Sequence, residues 1–136
     1  MLEKLLLPEL REAVQTSDWK SVGEFTAFVH PSVIAQMFVD LGDFETVWAT
    51  FEHVEPQAQA QIMEYLPPEQ QDGLVSRLPK RELAKLLEVM AHDDRVDIVK
   101  RMDEEKQAET MPLVARADRE DILRLARYPE IGRAHV

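Results

Sequence analysis

Three aspartates fall within five consecutive residues, Asp93-Asp94-Arg95-Val96-Asp97. Asp93 and Asp97 stand four apart and so share one face of a helix. Both precede the apolar pair Ile98-Val99, and helical phase sets them off the stripe which that pair defines. Like charges at this spacing cost about 0.2–0.5 kcal/mol in an isolated helix. A divalent cation would remove that repulsion, and carboxylate oxygens are the hard ligands that Mg²⁺ and Ca²⁺ take. The same acids also suit a first helical turn, where the macrodipole favours negative charge without any metal. If a metal binds, two or three carboxylates on one short helix are only part of its shell. Mg²⁺ requires about six oxygens, so water or a partner domain would supply the rest, and the site would lie at an interface.

Other chemistry is missing. There is no glycine-rich phosphate loop, no His-Glu-x-x-His pair and no EF-hand loop. Ser17, Ser21, Ser32 and Ser76 lie in no nucleophile elbow. His92 beside Asp93 reads as a surface or capping group. The chain is therefore read as a non-enzyme. It has no cysteine, which removes disulfides, thiolate metal sites and cysteine catalysis. Its 26 acidic and 16 basic residues give a net charge of −10. That balance disfavours nucleic acid and anionic lipid. It favours basic protein segments and divalent cations, and it also keeps a domain soluble.

The elements that must position the acids are legible as a repeat. From Val54 onward an apolar residue recurs every twelve positions: Leu66, Leu78, Met90, Met102, Val114, Ala126. Four and three residues before each stands a second pair: Ile62-Met63, Leu74-Val75, Leu86-Leu87, Ile98-Val99, Thr110-Met111 and Ile122-Leu123. Only Thr110 breaks the pattern. Spacings of three and four put these side chains on one helical face. Twelve residues hold about two helical turns and a connector. A helix this short cannot bury its stripe alone, so consecutive helices must stack as a repeat array, whose usual product is a binding surface.

Prolines at 56, 67, 68 and 79 and the acids Asp103-Glu104-Glu105 open successive blocks. Pro112 should end or kink its helix early. Upstream, helices are expected over 1–15, from about Ser17 to Val29, from Pro31 to about Leu41, and from about Phe44 to near Val54. The expected class is all-α, about nine or ten short helices in one domain over 1–136. Its parts are a helical lead-in at 1–29, the repeat array at 30–128 and a C-terminal linker at 129–136. No stretch approaches the ~20 apolar residues needed to span a bilayer, so this segment is not expected to insert into a membrane.

Four stretches together resemble the N-terminal cytoplasmic domain of MgtE-type magnesium transporters. They are His30-Pro31-Ser32-Val33-Ile34-Ala35, Tyr65-Leu66-Pro67-Pro68-Glu69, His92-Asp93-Asp94-Arg95-Val96-Asp97, and Tyr128-Pro129-Glu130 with Gly132-Arg133 after it. The resemblance covers roughly residues 18 to 133. It implies a right-handed superhelix (an α-solenoid) followed by paired cystathionine-β-synthase-type (CBS) domains and a dimeric membrane pore. The domain would then be the cytoplasmic part of an inner-membrane transporter and would sense Mg²⁺. Acids on it and on the CBS domains would share weakly bound regulatory ions, and their bridging would favour the closed pore. Carried over residue by residue, Asp93 and Asp97 fall on the family's interfacial acids, and Asp94 fits the motif.

A further family acid lands near Gln61, where Glu64 is the nearest carboxylate, so Glu64 is the fourth candidate ligand. The ending departs from the family's: it is shorter and lacks a methionine, which fits a chain cut at a domain boundary or a free-standing relative. The implied partners are the CBS and transmembrane domains of the same full-length chain, dimeric as a whole. The competing reading is a protein-interaction scaffold related to the flagellar motor switch protein, in which the acids bind no metal.

Overall fold

A computed structural model describes residues 2–134, with side chains described from Leu6 to Ala126. The described residues form ten α-helices and one 3-10 turn, with no strand. They divide into two compact units, residues 1–67 and 68–136.

The first unit holds α1 (Leu2–Gln15), α2 (Trp19–Phe28), α3 (Pro31–Leu41), α4 (Phe44–Phe51) and α5 (Pro56–Tyr65). Each start after α1 has a chemical cause. Asp18 caps α2 by accepting from the Ser21 backbone N–H at 3.2 Å, and Asp43 caps α4 by accepting from Glu45 at 3.1 Å. His30 Nδ1 accepts from the Ser32 N–H at 3.1 Å, an imidazole in the place of the usual oxygen cap. Pro31 and Pro56 occupy first turns, where the missing N–H costs nothing. Gly42 ends α3 with φ +67, a left-handed conformation that suits glycine. Ser17 takes φ +55 between α1 and α2 without that freedom. The centre of the unit is α3, which packs against α1, α4 and α5. Its Ile34, Met37 and Phe38 are fully buried, and Phe38 meets Phe51 edge-on with ring centroids 6.4 Å apart.

The second unit holds α6 (Pro68–Arg77), α7 (Lys80–Val89), α8 (His92–Arg101), α9 (Glu104–Thr110), a 3-10 turn (Met111–Leu113) and α10 (Arg116–Ala134). From α5 onward every helix begins twelve residues after the one before, at 56, 68, 80, 92, 104 and 116. The helices of α5 to α8 are ten residues long, nearly three turns, where the spacing suggested about two. The connector is correspondingly tight. Met90 and Ala91, like Met102 and Asp103, are two consecutive extended residues. Proline's fixed φ fits that geometry, as at Pro79 with φ −59. Pro112 ends α9 as expected, and the chain tightens there into the 3-10 turn. The backbone past Pro129 is helical as far as Ala134, where a linker was expected. His135 and Val136 lie outside the described residues.

Packing runs to the next helix but one: α6 on α8, α7 on α9, and α8 on α10. The block-closing residues Leu66, Leu78, Met90, Met102 and Val114 are all buried, as are the apolar pairs through Thr110-Met111. Leu123 departs, being 45% exposed on α10, the last described helix. Thr110 is fully buried, and among the described residues its hydroxyl has no hydrogen-bond partner.

One device recurs at the fourth position of the blocks, which apolar periodicity does not reveal. The side chain there donates to the backbone carbonyl eight residues earlier, in the last turn of the preceding helix. Gln59 Nε2 reaches the Phe51 carbonyl at 2.8 Å, Arg95 NH1 that of Leu87 at 3.2 Å, and Gln107 Nε2 that of Val99 at 2.6 Å. Helix ends leave such carbonyls without intrahelical partners, so each block completes its predecessor. Replacing Gln59 by leucine keeps the volume and removes the donor. The expected loss is about 1 kcal/mol, read as a lower urea midpoint at unchanged slope.

Candidate functional site

The acids lie on α8, whose inward face is Val96, Ile98, Val99 and, unexpectedly, Arg95. The Arg95 residue is only 1% exposed, the largest fully buried side chain described. Burying a guanidinium is tolerable only when it is paired and hydrogen-bonded. Its NH1 donates to Asp118 at 2.9 Å and to the Leu87 carbonyl, and its NH2 donates to Asp121 at 3.1 Å. Among the described residues its Nε has no partner. His92, at the first position of α8, brings Nδ1 within 2.7 Å of the same Asp121 oxygen. That contact requires Nδ1 to carry a proton and donate. Arg124 closes the group from Asp121's other side at 3.0 Å. Bonds from His92, then Arg95, hold the Asp121 carboxyl below its usual range. Thus the first turn of α8 is fastened to α7 and α10 by its one buried cation.

With Arg95 turned inward, the three candidate aspartates look the other way. Asp93 and Asp97 are exposed and Asp94 is half-buried. Among the described residues none of the three has an ion pair or side-chain hydrogen bond. Two of the three cations on their helix are committed elsewhere, and the third, Lys100, is exposed three residues after Asp97. Arg95 serves Asp118 and Asp121. Arg101, one turn beyond Asp97, pairs with Asp72 of α6 at 2.9 Å. The helix start also lacks a side-chain cap, since Ala91 stands at that place, so Asp93 and Asp94 are left to answer the N-terminal dipole. The Asp94 carboxyl is pushed above its usual range, first by partial burial and then by the charges of Asp97 and Asp93. These acids repel, and among the described residues no cation forms an ion pair with them.

No three acidic or histidine side chains among the described residues converge into a cage for an ion. The donor chemistry suits a hard divalent cation, and the arrangement suits a part-shell: one or two carboxylates of α8 with water, completed from elsewhere. Glu64, the fourth candidate, is exposed on α5 in the first unit, whereas Asp93, Asp94 and Asp97 share α8 in the second. Sequence reasoning missed the inward role of Arg95 and the parts of His92, Asp118 and Asp121. An available signal was the alignment of the blocks, which sets Gln59, Gln71, Arg95 and Gln107 at one position.

Comparison with known proteins bears on this geometry. A family described as the MgtE intracellular N domain matches residues 29–131. A search of curated protein sequences finds no match. Among solved structures, the crystal structure of the soluble part of a magnesium transporter aligns with a TM-score of 0.80 at 17% identity. The alignment covers 93% of this chain and 50% of that one. At that identity the likeness establishes the fold, and this chain spans half the length of the one it matches.

Two outcomes follow from the α8 electrostatics. Arg95→Met should destabilise the chain by about 3 kcal/mol, because it strands Asp118 and Asp121 against α8; chemical denaturation measures this. Asp94→Asn should do the opposite at neutral pH, by a few tenths of a kcal/mol, about the size of one like-charge helix pair. The sign follows from the raised carboxyl. An acid whose folded pKa lies above its unfolded value costs stability when ionised, and the cost vanishes once pH falls below the unfolded pKa. The stability difference between Asp94→Asn and wild type should therefore close on acidification.

Proposed function

Since this chain belongs to the MgtE intracellular N domain family, we propose that it is the Mg²⁺-sensing regulatory domain of a magnesium transporter, acting by binding and not by catalysis. The observation that carries the proposal is the carboxylate face of α8, whose aspartates form no ion pair among the described residues while Arg95 and Arg101 pair elsewhere, with Asp94 raised first by partial burial and then by the charges of Asp97 and Asp93. Asp93 and Asp97 would hold the ion, with Asp94 beside them. A bound Mg²⁺ supplies positive charge against this repulsion.

The chain's own residues do the rest. Arg95 and His92 fix the start of α8 against α10, which keeps the carboxylates outward. A face that repels when bare and attracts when neutralised has different affinity for a second acidic surface in the two conditions. That differential affinity is what lets a ligand shift a two-state equilibrium. The second surface is proposed to belong to CBS domains of a longer, dimeric transporter, whose pore closes when the acidic faces are drawn together. The domain would lie at the cytoplasmic side of the membrane. Among the described residues no helix is long and apolar enough to cross one.

In the longer protein, Asp93→Asn with Asp97→Asn should leave transport active at Mg²⁺ concentrations that shut the wild type, measured as Mg²⁺ flux into vesicles. In the chain alone, MgCl₂ should shift only α8 amides, and only at millimolar concentration. Normal closure in the double variant would remove the assignment from these residues.

A further inference from the structure

The excess acidity of the chain does not reside around α8. Residues 1–67 hold eleven acids against three bases, whereas 68–136 hold fifteen against thirteen. Within the first unit, α2 runs between two open grooves. On one side Glu9, Leu10, Glu12, Ala13 and Phe25 line a cavity of about 290 Å³. On the other, Gly23, Ala27, Glu52, Val54, Glu55 and Ala58 line one of about 310 Å³. Each combines apolar surface with a carboxylate rim, alongside Thr16, Asp18 and Ser21 in the first and Thr26 and His53 in the second. Glu9, Glu12, Glu52 and Glu55 are exposed, and among the described residues their carboxylates have no partner. Of the unit's bases, Arg11 is turned toward the Leu41 carbonyl at 3.5 Å, and Lys20 is exposed on α2 near Asp18. A Cβ on Gly23 would meet nothing within 4 Å, so the groove above it is open and packing does not demand glycine there. The helix ends at Phe28, an aromatic ring 88% exposed, and the family match begins only at residue 29.

We propose that this face of α2, together with the segment 52–58 beside it, docks a basic polypeptide segment. The argument is complementarity of charge and shape. Lysine and arginine lay their methylenes on apolar surface while the charged head stays at the edge, which these grooves, rimmed by glutamates, accommodate on both sides of the helix. Phe28 offers its ring to an apolar residue or a cation of the same segment. A partner of negative charge is repelled by the same rim. The site shares no residue with the α8 acids.

The test is amide NMR of the chain in buffer without divalent cations, which keeps it independent of Mg²⁺ binding. The probes are oligolysine and an amphipathic lysine–leucine peptide. His53, beside Glu52, stacks on Trp19 with ring centroids 3.7 Å apart, so the Trp19 indole N–H reports on the second groove. Saturable shifts are expected at Gly23, Ala27, Phe28 and that indole. Glu52→Gln with Glu55→Gln should weaken both peptides severalfold, and Phe28→Ala should weaken the lysine–leucine peptide more than oligolysine. Asp40→Asn with Glu45→Gln, acids of the same unit outside the grooves, should leave binding unchanged. Absence of saturable shifts, or equal weakening by the Asp40 and Glu45 pair, would overturn the proposal, since the latter means diffuse attraction to an acidic unit.

Discussion

A helix of ten residues leaves four N–H and four C=O groups without partners of its own, so an array of such helices depends on where those groups bond. At the start, this chain uses Asp18, Asp43, Asp103 and the imidazole of His30 as caps. Glu88 of α7 reaches across to the Ala115 N–H just before α10. At the end it relies on the following helix. Gln59, Arg95 and Gln107 donate eight residues back, and Lys106 donates to the Leu78 carbonyl at 2.6 Å. Burial of the apolar stripe supplies most of the driving force. The polar links decide the register, because a helix displaced along its neighbour would forfeit a partner for a buried carbonyl.

The candidate site is a variation on that link. Where two other blocks use a neutral glutamine, the α8 block uses arginine, and the same backbone bond now brings a buried positive charge. That charge has to be answered, and Asp118 and Asp121 of α10 answer it. The consequence falls on the opposite face. A guanidinium engaged inward does not lie among Asp93, Asp94 and Asp97, and the Asp94 carboxyl is raised, first by partial burial and then by its two acidic neighbours. Structural and functional charges share one helix and are kept apart by its two sides.

Much of this was legible beforehand, for identifiable reasons. Prolines and acids that open the blocks, and apolar residues that close them, act through local backbone physics, so boundaries such as Pro31–Leu41 and the early stop before Pro112 could be read directly. The outward phase of Asp93 and Asp97 followed from Ile98-Val99. Arg95 was opaque because its environment is set by Leu87, Asp118 and Asp121, up to 26 residues away. Among three aspartates it looks like surface charge. The helical turn count was underestimated because the connector proved to be only two extended residues. Leu123 was mistaken for core because periodicity carries no information about which positions a neighbour covers.

The ten-plus-two division of each block also limits how such a chain can change length. One residue inserted within a helix would rotate everything after it by about 100°, turning Arg95 or its equivalents away from the carbonyls they serve. A duplicated or excised block of twelve would return every donor and every buried residue to phase. Relatives of this chain should therefore differ by whole periods within the array, with odd-sized insertions confined to its ends.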